Sequence, residues 1–155
     1  MYVKEKLISG HRSVGIMERI TYARLGDADA IFALLKKEGR AAYTKDIVID
    51  TIRTKGSLCL RMVQDGILIG AVGARAEGRH SAWVYYIVID RRFRLRGNSK
   101  KLMNMLFKAC AKKGIKRIAL DTPDCSYFGK FGFREVGRIK RWYEDRDQVI
   151  MYRPV

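Results

Sequence analysis

The sequence predicts an α+β fold in which helices flank a mixed sheet. Three observations carry that expectation. Apolar residues between positions 27 and 53 recur at helical spacing, and between 57 and 89 they recur with period two. From residue 100 onward, one long amphipathic helix is followed by a strand, a short helix and two further strands. The resulting order is β, α, α, β, β, β, α, β, α, β, β, with strands grouped rather than strictly alternating with helices.

Each element has its own local reason. ERITYARL, from Glu18, reads as a first strand. In the helix that follows, Asp27 is placed to cap the start, Ile31, Leu34 and Leu35 form one apolar face, and Gly39 ends it. A second helix over Lys45–Arg53 has Thr44 as its cap and Ile47, Val48 and Ile52 as its buried stripe. SLCLRMV, ILIGAVGAR and SAWVYYIVI then alternate as three antiparallel strands joined by QDG and EGRH turns. KKLMNMLFKACAKKG is a helix with Leu102, Met103, Leu106, Ala109 and Cys110 facing the core, closed by Gly114. IKRIALD is a strand, Thr122–Pro123 opens a short helix with proline in its first turn, and GFREVGRIKRWY with QVIMYR forms a last antiparallel pair.

The chain has 155 residues, enough for one domain with a sizeable core. Residues 1–16 show no period and read as an N-terminal arm or extension, leaving 17–155 as the domain. The opening MYVKEKLISGHRSVG is too polar for a signal peptide, and no apolar run approaches the ~20 residues of a membrane span. Three cysteines with no CxxC point to reduced thiols and a cytoplasmic protein. The two histidines stand apart, so no metal site is indicated. A net charge of +16 implies an anionic partner: nucleic acid or the ribosome, an acidic protein, or a phosphorylated cofactor.

One stretch narrows this choice. The strand ending at Ile89 runs through RFRLRGNSKK directly into the long helix, and between Arg91 and Arg117 there are eleven basic residues and no acidic one. Helix N-termini present unpaired amides with partial positive charge, a ready phosphate site. Gly97 allows close backbone approach, and Asn98 and Ser99 are small. Neither GxxxxGK[ST] nor GxGxxG is present, which excludes a Walker loop and gives no sign of a dinucleotide fold.

IVIDRRFRLRGNSKKLMNML resembles the acetyl-CoA motif of the GCN5-related N-acetyltransferases, the GNAT superfamily. Arg94, Leu95, Arg96, Gly97, Asn98 and Ser99 stand at its Q/R-x-x-G-x-G/A positions, with Ser99 in place of the last small residue. YFGKFGF, Tyr127 to Phe133, is similar to the family's second signature, and the resemblance covers about residues 18–153. It implies a GNAT-like, mostly antiparallel sheet and an acyltransferase that moves an acetyl group from acetyl-CoA to an amine on a peptide, protein or small molecule. It further implies that main-chain groups of Ile87, Val88 and Ile89 hold the pantetheine arm at a bulged strand. Amides of Arg94 to Ser99 would hold the pyrophosphate, and Arg96 and Lys100 would reach outer phosphates.

Phe128 stands where many members carry the tyrosine that protonates the leaving thiolate, so Tyr127 beside it is the candidate acid. No carboxylate lies on the strand before the loop. Asp121 is the nearest candidate base, with capping of the following helix as its other reading. A lysine of pKa about 10.4 is about 4.6 kcal/mol from neutrality at pH 7, an α-amine only about 1.4. A weak base therefore favours an α-amine. RWYEDRDQVIM is similar to the C-terminal tail of ribosomal-protein and peptide N-terminal acetyltransferases, which implies that Trp142 and Tyr143 line an acceptor groove; Gln148 departs from that pattern. Tyr86 faces either the acceptor or the core. An active acetyltransferase, a catalytically silent CoA-binding module and a basic nucleic-acid- or ribosome-binding domain are the three readings left open.

Overall fold

The computed structural model describes residues 15–40 and 42–155; the expected arm over 1–16 falls mostly outside them. Strand β1 (Glu18–Tyr22) leads through a 3-10 turn at Leu25–Asp27 into α1 (Ala28–Lys37) and α2 (Lys45–Arg53). A meander of β2 (Leu60–Gln64), β3 (Ile67–Ala76) and β4 (Ser81–Ile89) follows. Then come α3 (Asn98–Lys112), β5 (Arg117–Thr122), α4 (Cys125–Gly129), β6 (Arg134–Tyr143) and β7 (Arg146–Pro154). The seven described strands form one sheet in the order β1-β2-β3-β4-β5-β7-β6. Only β4 and β5 run parallel, so the sheet is mixed and mostly antiparallel, as the sequence predicts.

Strand alternation divides the core into two layers. On one face, Met62, Ile69, Val72, Ile118 and Leu120 pack against Leu102, Met103, Leu106 and Cys110 of α3. On the other, Ala71, Tyr86 and Val88 meet Ile31, Leu34 and Leu35 of α1 and Val48 and Ile52 of α2. The faces predicted for α1 and α3 are the buried ones; in α2, Val48 and Ile52 are buried with Thr51, while Ile47, expected in the same stripe, is only half-buried. All three cysteines are free, and burial pushes the Cys110 thiol up to about 11, which keeps it unreactive.

Two caps differ from expectation. Thr44 caps α2, accepting from the Ile47 amide at 3.3 Å. Asp27 stands at the start of α1 but makes no cap bond there; its carboxylate accepts from the Arg24 amide at 2.7 Å and from Arg61 at 2.6 Å. The guanidinium of Arg61, brought over by β2, competes for the same oxygens. The short helix α4 is capped by Asp124, which accepts from the Ser126 amide at 3.2 Å and the Tyr127 amide at 3.4 Å. Pro123 therefore precedes the cap instead of opening the first turn, and Asp121 is not the capping residue.

The feature that positions the site is a break between β4 and β5. Their pairing runs from Ser81–Arg117 to Val84–Leu120 and stops. At that point β4 carries a bulge: Ala74 of β3 pairs with Val84 and Gly73 with Tyr86, so Tyr85 is the extra residue. A bulge bends and twists its strand, and β4 turns away from β5 over Tyr85–Ile89. It also places Tyr85 and Tyr86 against the same α1/α2 layer. Tyr86 lies across β3 because Gly73 has no side chain; a Cβ there would collide with the tyrosine ring.

Candidate active site

The parted strands leave an open cleft of about 490 Å³. One end is the turn after β4. Leu95 and Gly97 both adopt left-handed backbone, with φ of 59° and 76°. For leucine this costs about 1–2 kcal/mol; for glycine it is free of that penalty. Two left-handed residues so close curl the chain and turn successive amides the same way. Among the described residues, the amides of Leu95, Arg96, Gly97, Asn98, Ser99 and Lys100 donate to no protein group, whereas the Arg94 amide, expected with them, donates to the Arg91 carbonyl at 3.4 Å in closing the 3-10 turn. The turn is not filled by the protein's own acceptors.

Buried carboxylates brace this turn. The Glu38 side chain, 1% exposed, accepts from Arg94 Nη2 at 2.6 Å and from the Arg91 amide at 3.2 Å. Asp90, 3% exposed at its side chain, accepts from the Arg92 guanidinium and amide and from Lys37 Nζ at 2.9 Å. Asn98 is buried and donates to the Phe93 carbonyl at 2.9 Å, so its side chain ties the loop inward while its amide stays free. Arg96 lies over the Phe93 ring at 5.7 Å, and Lys100 is exposed on the first turn of α3.

The Arg92 guanidinium, and then Lys37, hold the Asp90 carboxyl far below the usual carboxylate range. A depressed folded pKa contributes stability above the unfolded value of about 3.9 and loses it as pH falls below that. Replacing Asp90 with Asn is therefore expected to lower unfolding free energy by about 2–3 kcal/mol at pH 7, the scale of lost charge-assisted bonds. Urea titrations should show the two proteins converging below about pH 4; a constant gap down to pH 3 would contradict the assignment.

The open edge of β4 faces the cleft. Backbone groups along an antiparallel strand point alternately to its two sides. The Asp90 amide bonds Ile69 on β3, and the Ile89 carbonyl accepts from Arg94 Nε on the far side at 3.1 Å. By that alternation Ile87 and Ile89 turn their main-chain groups to the cleft. Val88, expected alongside them, points its own toward β3, opposite Ala71.

Catalytic candidates gather where the strands part. Asp121, Tyr127 and Phe128 all line the cleft. Neighbouring residues on a helix diverge by about 100°, yet both aromatics of the five-residue α4 line the cleft. The Tyr127 ring packs edge-on against Phe128 and Phe131, with centroids 5.0 and 5.5 Å apart. Asp121 accepts from Gln148 Nε2 on β7. Around them stand Tyr43 and Arg40 from the α1–α2 connection and Tyr143 and Arg146 from the β6–β7 hairpin. Burial, with help from Asp121, pushes both the Tyr43 and Tyr143 hydroxyls above their ordinary pKa, so both remain protonated donors at neutral pH.

Of the expected acceptor residues, one lies elsewhere and one is almost wholly buried. Trp142 is 60% exposed and outside the cleft lining, because its strand neighbour Tyr143 takes the inward direction. Tyr86 lines the cleft yet is only 3% exposed: it packs in the α1/α2 core, with its hydroxyl buried and unpaired and its ring edge-on to Tyr43 at 5.8 Å. Sequence reasoning missed Arg40, Tyr43, Arg146 and the role of Gln148. Only Gln148 carried a signal, as a departure from the tail pattern.

A strand edge opened by a bulge and ending in a cup of free amides offers room and donors for a long, phosphate-bearing ligand. The chain belongs to the Acetyltransferase (GNAT) family, whose model matches residues 28–133, and it is an acyltransferase. No curated protein matches this sequence. Among solved structures, the ribosomal-protein-S18-alanine N-acetyltransferase from Escherichia coli superposes with a TM-score of 0.82 at 16% identity, covering 90% of this chain and 94% of that one. Arabidopsis thaliana Naa50, in complex with the bisubstrate analogue CoA-Ac-MVNAL, gives 0.75 at 19%, covering 88% and 97%. The aminoglycoside 6'-N-acetyltransferase from Enterococcus faecium gives 0.75 at 17%, covering 88% and 96%. At these identities the likeness is one of fold.

Proposed function

We propose that this acyltransferase carries acetyl groups from acetyl-CoA to the α-amine of a peptide or protein. The observation that supports it is the layout of the cleft: free amides at one end, and Asp121 with Gln148, Tyr43, Tyr143 and Tyr127 at the other. Acetyl-CoA supplies the activated acyl group as a thioester. The amides of Leu95 to Lys100 bind its diphosphate, with Arg96 and Lys100 beside them, and the Ile87 and Ile89 main chain receives the amide-bearing arm. An Ile87 or Ile89 N–H stabilises the developing oxyanion. Asp121 accepts a proton from the acceptor amine, and the Tyr127 hydroxyl donates one to the departing sulfur.

The acceptor assignment rests on the weakness of the base. Asp121 is the cleft carboxylate free of helix capping, and Gln148 already occupies one of its oxygens. Such a base suits an amine that is about 1.4 kcal/mol from neutrality, not one about 4.6 kcal/mol away. An aminoglycoside, with several ammonium groups, would meet Arg40 and Arg146 at the cleft mouth and be repelled. Matched peptides offering one free α-amine or one lysine ε-amine test the reading, with thiol release as the signal. The α-amine peptide is expected to react faster at pH 7; faster lysine transfer would overturn it.

A further inference from the structure

We infer that Arg40 and Arg146 form a cationic rim that selects acceptors carrying a carboxylate within the first residues after the reacting amine. This rests on the α-amine reading above and deepens it. The two arginines come from different elements, one after α1 and one at the start of β7, and both line the cleft together with Tyr43, Tyr143 and Asp121. Arg40 makes no ion pair among the described residues. Arg146 has only Asp145 at 3.6 Å, with side chains 61% and 81% exposed, an arrangement that leaves its charge available. The field of each arginine is felt inside the cleft, Arg40 at the Tyr43 hydroxyl and Arg146 at the Tyr143 hydroxyl.

The carboxylates nearby do not cancel this rim. Asp124 is committed to capping α4 and to the Ser126 hydroxyl at 2.7 Å. Asp121 lies deeper, held by Gln148, where it serves the amine. An acceptor entering amine-first would carry its α-ammonium toward Asp121 and its following side chains past the two guanidinium groups. Carboxylates there gain two attractive partners, and ammonium groups lose by the same amount. The family match ends at Phe133, so Arg146 lies in the part of the chain outside it.

The test uses the full chain, acetyl-CoA and short peptides that differ only at their first two residues: Asp-Glu, Asn-Gln or Lys-Lys. Free aspartate and glutamate serve as an arm that separates small amino acids from peptides. The acidic peptide is expected to exceed the neutral one about tenfold in kcat/KM, the sum of two exposed pairs. That ratio should fall toward one at about 0.5 M salt, where the screening length is only a few ångströms, and invert in the R40E/R146E variant. The salt series on the unmodified protein keeps the inference testable should the variant not fold. Equal rates on acidic and neutral peptides would overturn the rim while leaving the α-amine reading intact. Acetylation confined to lysine ε-amines would overturn both.

Discussion

Replacing Gly97 with valine is expected to weaken acetyl-CoA binding about 100-fold, equivalent to about 2.7 kcal/mol, while the melting temperature moves by only a few degrees. The reasoning begins with backbone. Gly97 has φ of 76°, and a Cβ added there meets no protein atom within 4 Å. The first carbon of the valine side chain therefore meets open space, and the main cost to the fold is the left-handed penalty, about 1–2 kcal/mol. For a domain of this size that corresponds to a shift of a few degrees. The loop can escape the strain by rotating residue 97 out of the left-handed region, which turns the adjoining amides away from their common centre. Each lost charge-assisted bond is worth about 1.5–3 kcal/mol, so misdirecting one or two accounts for the fall in affinity. Calorimetric titration with CoA beside a thermal melt separates the two effects. Unchanged affinity would mean that the turn does not hold the diphosphate.

Converting Tyr127 to phenylalanine is expected to reduce kcat by about 100-fold, the low end for loss of a general acid, with KM for acetyl-CoA little altered. The low end applies because a thiol of pKa about 8.5 departs tolerably as thiolate. The ring would keep its edge-on packing with Phe128 and Phe131, so the change removes a proton and little else. Phe128 lines the same cleft one residue along. Phe128→Tyr introduced into the Tyr127→Phe protein is therefore expected to recover most of the rate, which a purely structural role for Tyr127 would not produce. Steady-state kinetics with the α-amine peptide give the answer. Full activity in the single variant would assign thiolate protonation to solvent.

The amide turn after β4 was legible because its chemistry is local. A strand, a glycine and a helix start are adjacent in the chain, and the physics that makes their amides available needs no distant partner. Even there, Glu38 and Asp90 were unreadable as braces, since the contacts of Glu38 with Arg91 and Arg94 join residues more than fifty positions apart. The acceptor end was less legible. Asp121 and Tyr143 were named from sequence, but Arg40, Tyr43 and Arg146 join them only when the α1–α2 connection and the β6–β7 hairpin meet over the gap. Trp142 and Tyr143 were indistinguishable as letters. Strand direction separated them, sending one to solvent and one inward.

Hydrophobic period and turn chemistry, both short-range properties, were enough to set the element order, the buried face of each helix and the amide turn at Gly97. What only the tertiary structure decided was the cleft itself. Its existence depends on where β4 and β5 stop pairing, and that follows from Tyr85 bulging out, with Tyr86 lying across the bare backbone of Gly73. Sequence period fixes which side chains can share a face, but the register between strands distant in the chain is fixed by packing across the sheet. That register chose which main-chain groups were left open to a ligand.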